Sequence, residues 1–199
     1  MKSIEFEKFI NYHKPYKTLQ KADSSLLEKY KILVPNGLLE LWENYGFGFY
    51  GNGFLQMINP DDYHEVLCGW LLRKPDPERI PIMITAFGTI IYYRMLVRDS
   101  ENHHILADDI AYIEPNYSTS DVYSWSLHDF FDDFICDHEN LQQMFYYENF
   151  EDAKAKYGDL KINNMYCFKL AFTLGGNEDI NEMMQGSAQV QLDLLLQIH

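Results

Sequence analysis

Between Asp99 and Ala153 the chain has neither lysine nor arginine. The same 55 residues hold 14 aspartates and glutamates, and the other 16 acids are matched by 16 bases. The whole formal charge of −14 therefore belongs to this one segment. A field of one sign repels phosphate backbones and attracts basic proteins, which argues against direct nucleic-acid binding. Acidic surface can equally serve solubility alone.

Cysteine is scarce as well. Cys68, Cys136 and Cys167 are odd in number, widely spaced and free of C-x-x-C pairing, a pattern of reduced packing thiols in a cytoplasmic protein. No run approaches the roughly 18 apolar residues of a membrane helix. The charged opening MKSIEFEKFINYHK lacks the apolar stretch of a signal peptide. Core material, by contrast, is abundant: 47% of residues are hydrophobic, and 15 Tyr and 13 Phe make the chain rich in aromatics. That suffices for one large domain or two small, closely packed ones.

The N-terminal third reads as helical. Ile4, Phe6, Phe9 and Ile10 form one face of a short helix, and HKPYKTLQK reads as a connector. Pro35 suits the first position of a helix in which Leu38, Leu39, Leu41, Trp42 and Tyr45 recur at helical spacing, with Gly46 as its stop. Asn59 caps the next helix, with Pro60 at its first position and Asp61 and Asp62 at the positive end of the dipole. Val66, Leu67, Trp70 and Leu71 give that helix its buried stripe.

The middle reads as strands: IMITAF, TIIYYRMLV, HHILA and IAYIE, with Gly88, DSEN and Asp108-Asp109 as turns. After a polar loop, PNYSTSD, the residues Leu127, Phe130, Phe131, Phe134 and Ile135 mark one helix face, with Asp129, Asp132, Asp133 and Cys136 away from it. NFEDAKAKYG predicts a helix ended by Gly158, and VQLDLLLQI predicts a terminal one. Strands this closely spaced favour an antiparallel meander. The fold class is α+β, a central mostly antiparallel sheet flanked by N-terminal and C-terminal helices.

Two motifs invite a chemical reading. YGFGFYGNGF contains a literal G-x-G-x-x-G at Gly46, Gly48 and Gly51. A dinucleotide fingerprint needs a strand that delivers the glycines to a helix N-terminus, and here a helix precedes them and an extended segment follows. Phe47, Phe49 and Tyr50 would also crowd a phosphate, so the glycines read as a helix cap and a turn. His128, Asp132 and Cys136 fall at i, i+4 and i+8, with His138 close by, but neither Cys-pair spacing nor H-E-x-x-H is present. His103 and His104 alternate across a strand and so do not ligate together.

The run PNGLLELWENYGFGFYGNGFLQMINPDDYHEVLCGWL resembles the GAD-like domain family, in which an aromatic-glycine turn leads to an N-P-x-x-[YF] helix ending in W-L. AFGTIIYY fits the same family. FKLAFTLGG, a polar loop and VQLDLLLQI resemble the C-terminal domain of immunity proteins of type VI secretion DNase effectors. The resemblance divides the chain into a GAD-like region, 1–115, and a helix-rich immunity region, 116–199, packed as one unit. It implies a cytoplasmic immunity protein, not an enzyme and without cofactor or metal. Such a protein binds a cognate secreted toxin, a basic nuclease, and engages neither nucleic acid nor membrane. Together with the charge it directs attention to Asp108, Asp109, Glu114, Asp121, Asp129, Asp132, Asp133, Asp137 and Glu139 as the electrostatic complement. Tyr117, Tyr123 and Trp125 are the packing anchors. Asp61, Asp62 and His64 form a second patch whose acids the helix dipole also explains. A scaffold module and a metal-dependent hydrolase built on His128, Asp132 and Cys136 are the alternatives.

Overall fold

The computed structural model describes residues 5–72, 74–102 and 104–198, so Ile4 of the first apolar face and His103 lie outside the described residues. Helix α1 (Glu7–Tyr12), strand β1 (Pro15–Gln20), helices α2 (Ser24–Tyr30) and α3 (Asn36–Asn44), and strands β2 (Phe47–Tyr50) and β3 (Leu55–Met57) open the chain. Helix α4 (Pro60–Trp70) then leads to four strands: β4 (Arg79–Thr85), β5 (Ile90–Arg98), β6 (Ile105–Glu114) and β7 (Thr119–Ser124). The remainder comprises α5 (Leu127–Asp132), α6 (His138–Gln142), α7 (Phe150–Tyr157), the pair β8 (Asn164–Phe168) and β9 (Met183–Ser187), and α8 (Ala188–Gln197). Strands β1 to β7 form one antiparallel sheet in chain order, and β8 and β9 form a separate hairpin.

Helix α4 begins as its residues dictate. The Asn59 side chain accepts from the Asp61 amide at 3.1 Å, Pro60 takes the first position, and Asp61 and Asp62 occupy the first turn. Pro35 lies one residue earlier than its spacing suggests, at the cap of α3 rather than inside it. The end of α3 follows the reading: the amides of Tyr45 and Gly46 both bond the Leu41 carbonyl, and Gly46 has φ +82°.

The glycine motif serves geometry, and it contains a strand of its own. A Cβ on Gly46 would stand 2.4 Å from the Gln20 carbonyl oxygen, and one on Gly48 2.2 Å from Leu19 Cδ2. Both glycines let β1 lie close against β2, so they face protein and form no phosphate cradle. This also explains why HKPYKTLQK is a strand rather than a connector. Pro15 stands at the first residue of an edge strand, a place where its missing N–H costs no ladder bond.

Two further segments depart from the sequence reading. Asp108-Asp109 makes no turn; β6 runs straight through both, with Asp109 opposite Arg94 and Asp108 opposite Met95. Most of the region after PNY, read as polar loop, is β7, paired with β6 from Ile110↔Ser124 to Glu114↔Thr119.

Both faces of the sheet are covered. On one face Met83, Ile91, Tyr93 and Ile110 meet Phe9, Trp42, Phe130 and Phe131 from the N-terminal helices and α5. On the other, Ile84, Ile90, Tyr92 and Ile113 meet Tyr63 and Leu67 of α4, Met165 and Cys167 of β8, and Leu192 of α8. Alternation along β4 and β5 divides the apolar residues between these two cores. The C-terminal hairpin and α8 therefore close a core that the N-terminal residues begin.

Candidate functional site

After β6 and β7 the acidic segment folds as short helices, and α5 and α6 start on its own hydroxyl and acid. Ser126 accepts from the Asp129 amide at 3.0 Å to cap α5. Asp137 accepts from the amides of Glu139 and Asn140, at 2.9 and 3.0 Å, to cap α6. Asp121, Asp129, Asp133, Asp137 and Glu139 all remain exposed. Asp133 meets Lys8 at 3.2 Å, and Asp132, largely covered, meets His128 Nε2 at the same distance. Asp108 is half-buried and accepts from the Leu127 amide at 3.1 Å, and burial pushes its carboxyl above the usual range.

Asp109 and Glu114 leave the candidate surface. Asp109 is 1% exposed and takes Arg94 in a two-point grip, Nε to Oδ1 at 2.6 Å and Nη2 to Oδ2 at 2.5 Å. Glu114 is fully buried: Oε2 accepts from Thr89 Oγ1 at 2.7 Å, while Oε1 accepts from the Asn116 amide and Nδ2 at 3.0 and 2.9 Å. A carboxylate counts toward net charge whether or not it reaches solvent, which is why charge alone placed both at the surface.

Burial pushes the Glu114 carboxyl up to about 7, against the hydrogen bonds from Thr89 and Asn116 that lower it. The folded chain thus holds a proton that the unfolded chain releases near its ordinary 4.5. The stability this proton supplies is complete below that value and is lost as pH rises through 7. Chemical denaturation should show a decline of up to about 3 kcal/mol between pH 5 and 8. Glu114→Gln, a neutral side chain of the same shape as the protonated acid, should flatten that slope. An unchanged slope would mean that Glu114 is ionised throughout.

Of the three aromatic candidates, Trp125 is 76% and Tyr117 40% exposed. Tyr123 is tucked in, its ring stacked on Tyr112 at 4.2 Å and 5.1 Å from Phe134, so it supports the surface instead of projecting from it. Sequence reasoning missed the company that Tyr117 keeps: Phe145, Tyr146 and Phe172 surround its ring. Phe145-Tyr146 and Phe172 come from two segments distant from Tyr117, and only the MFYY run hinted at an aromatic cluster.

The His128, Asp132 and Cys136 alignment does not form. Helix α5 ends at Asp132, and Cys136 turns inward, where its Sγ donates to the Phe131 carbonyl at 3.1 Å and burial pushes the thiol up to about 11. Among the described residues no group of three potential metal ligands converges. In the second patch Asp61 accepts from Lys29 at 2.5 Å and from the Tyr30 hydroxyl at 2.6 Å. Against the effect of burial, these partners hold its carboxyl below the usual range. His64 bonds the Asp76 carbonyl at 3.0 Å, and the Asp62 carbonyl accepts from Gln189 of α8 at 2.6 Å. That patch ties α2, α4 and α8 together.

No helix among the described residues is long and apolar enough to cross a membrane. Residues 4–102 match the GAD-like domain model, and residues 125–199 match the model described as T6SS immunity protein Tdi1, C-terminal. Among solved structures, Atu4351 from Agrobacterium tumefaciens superposes with a TM-score of 0.75 at 16% identity, over 96% of this chain and 88% of that one. At this identity the likeness concerns the fold. No curated protein matches the chain. Strand β7 lies between the two matched stretches and completes the sheet, whose second core both stretches fill. The chain thus carries a GAD-like domain match followed by a match to the C-terminal domain of the T6SS immunity protein Tdi1.

Proposed function

We propose that this chain is a non-enzymatic, cytoplasmic immunity protein that neutralises a cognate secreted toxin by direct binding, and that the toxin is a basic nuclease. One observation carries the reading: the stretch matching an immunity family begins inside a segment with no lysine or arginine, where Asp121, Asp129, Asp133, Asp137 and Glu139 are exposed. A nuclease presents cations where it grips its phosphate backbone. A surface of fixed carboxylates competes for those cations and speeds encounter. Asp108 and Asp132 stand at the margin of this surface, with Trp125 as its most exposed aromatic residue.

Co-purification with the product of the adjacent gene tests the proposal. A stoichiometric complex whose association rate falls as salt rises is the expected result. A complex that forms equally fast at every salt concentration would remove the electrostatic part of the proposal, and no complex would remove the partner.

A further inference from the structure

Beside the acidic surface lies a cleft of about 360 Å³ lined by Tyr117, Thr119, Phe145, Tyr146, Asn149 and Glu178. The Tyr117 ring forms one wall, 5.7 Å from Phe145 and lying nearly parallel to Tyr146, at 11° and 6.2 Å. Its hydroxyl donates to the Glu178 carboxylate, which fixes that anion at the edge of the aromatic wall. From the cleft the rings continue as a half-exposed strip through Phe145 to Tyr112, 5.8 Å apart.

We infer that the cleft receives an arginine side chain of the partner, its guanidinium laid against Tyr117 and Phe145 and its N–H fork directed at Glu178. The inference rests on the proposed binding of a basic protein through the acidic surface and names the chemistry at one point of it. A guanidinium is flat and weakly hydrated, stacks on aromatic faces, and matches a carboxylate with two parallel donors, whereas an ammonium keeps its water and has no flat face. Charge complementarity selects a cation over an apolar occupant, because the chain from Asp99 to Ala153, which supplies five of the six lining residues, has no lysine or arginine. Among the described residues, the lysines that sit over rings are engaged elsewhere: Lys29 on Tyr30, Lys154 on Tyr16 and Phe150, and Lys156 on Tyr157.

The test needs no toxin. Hexa-arginine and hexa-lysine peptides, titrated at equal ionic strength and followed by NMR, carry the same charge and differ in head group. Hexa-arginine should bind about tenfold more tightly, shifting the resonances of Tyr117, Phe145 and Tyr146. Tyr117→Ala and Glu178→Gln should each abolish that preference, with hexa-arginine losing far more affinity than hexa-lysine. Glu178 is exposed, so its variant decides the matter even if Tyr117→Ala disturbs folding. Equal binding of the two peptides, with shifts confined to the surroundings of Asp129 and Asp133, would overturn the cleft and leave the acidic surface standing. Failure of both peptides to bind would overturn the cleft and the acidic surface together.

Discussion

Asp129→Lys with Asp133→Lys should slow association with the toxin by about ten- to a hundred-fold at low salt, while the fold survives. Two reversals change the local charge by four units within a region that holds no lysine or arginine of its own. Attraction between exposed charges acts over roughly 10 Å at ordinary ionic strength, so the loss falls on encounter rather than on the bound state. The fold is insulated because both side chains are exposed: among the described residues the Asp133 carboxylate pairs with the exposed Lys8, and the Ser126 cap of α5 does not involve the Asp129 carboxylate. Stopped-flow mixing measures the rate, with thermal melting as the control. Unchanged rates in a well-folded double variant would show that the toxin docks elsewhere.

Arg94→Leu should destabilise the protein by about 3–5 kcal/mol, the usual consequence of stripping a buried charge of its partner. Asp109 has no route to solvent, at 1% exposed, and Arg94 supplies both of its strong bonds. The double change Arg94→Leu, Asp109→Leu should recover most of the loss, because two apolar side chains across adjacent strands replace the pair without an unpaired ion. Urea unfolding of the two variants measures both quantities. A single variant as stable as the parent would show that Asp109 takes up a proton or reaches water.

These two residues also mark the limit of what the sequence discloses. Helix α4 was legible because everything that starts it, Asn59, Pro60 and two acids, lies within four consecutive residues. The antiparallel meander was legible for a similar reason, since its strands follow one another too closely for crossover helices. Asp108-Asp109 was misread because a local rule assigns acids to turns, whereas Arg94, fifteen residues earlier, decides where Asp109 goes. Strand β1 was missed because Pro15, Lys17 and the flanking lysines look unlike a strand, and only Gly46 and Gly48 create the space beside which it pairs. The charge of the candidate surface could be counted, but burial could not, so Glu114 was counted as surface although Thr89 and Asn116 enclose it. The aromatic cleft draws Tyr117, Phe145 and Glu178 from separate segments, and no spacing rule connects them.

The most direct measurement is cleavage of plasmid DNA by the purified product of the adjacent gene, with this chain added in increasing ratio. The proposed function predicts that cleavage stops at one chain per toxin, and that D129K/D133K requires a longer preincubation to give the same protection. Undiminished cleavage in the presence of excess chain, with the toxin demonstrably active and the chain folded, would contradict it.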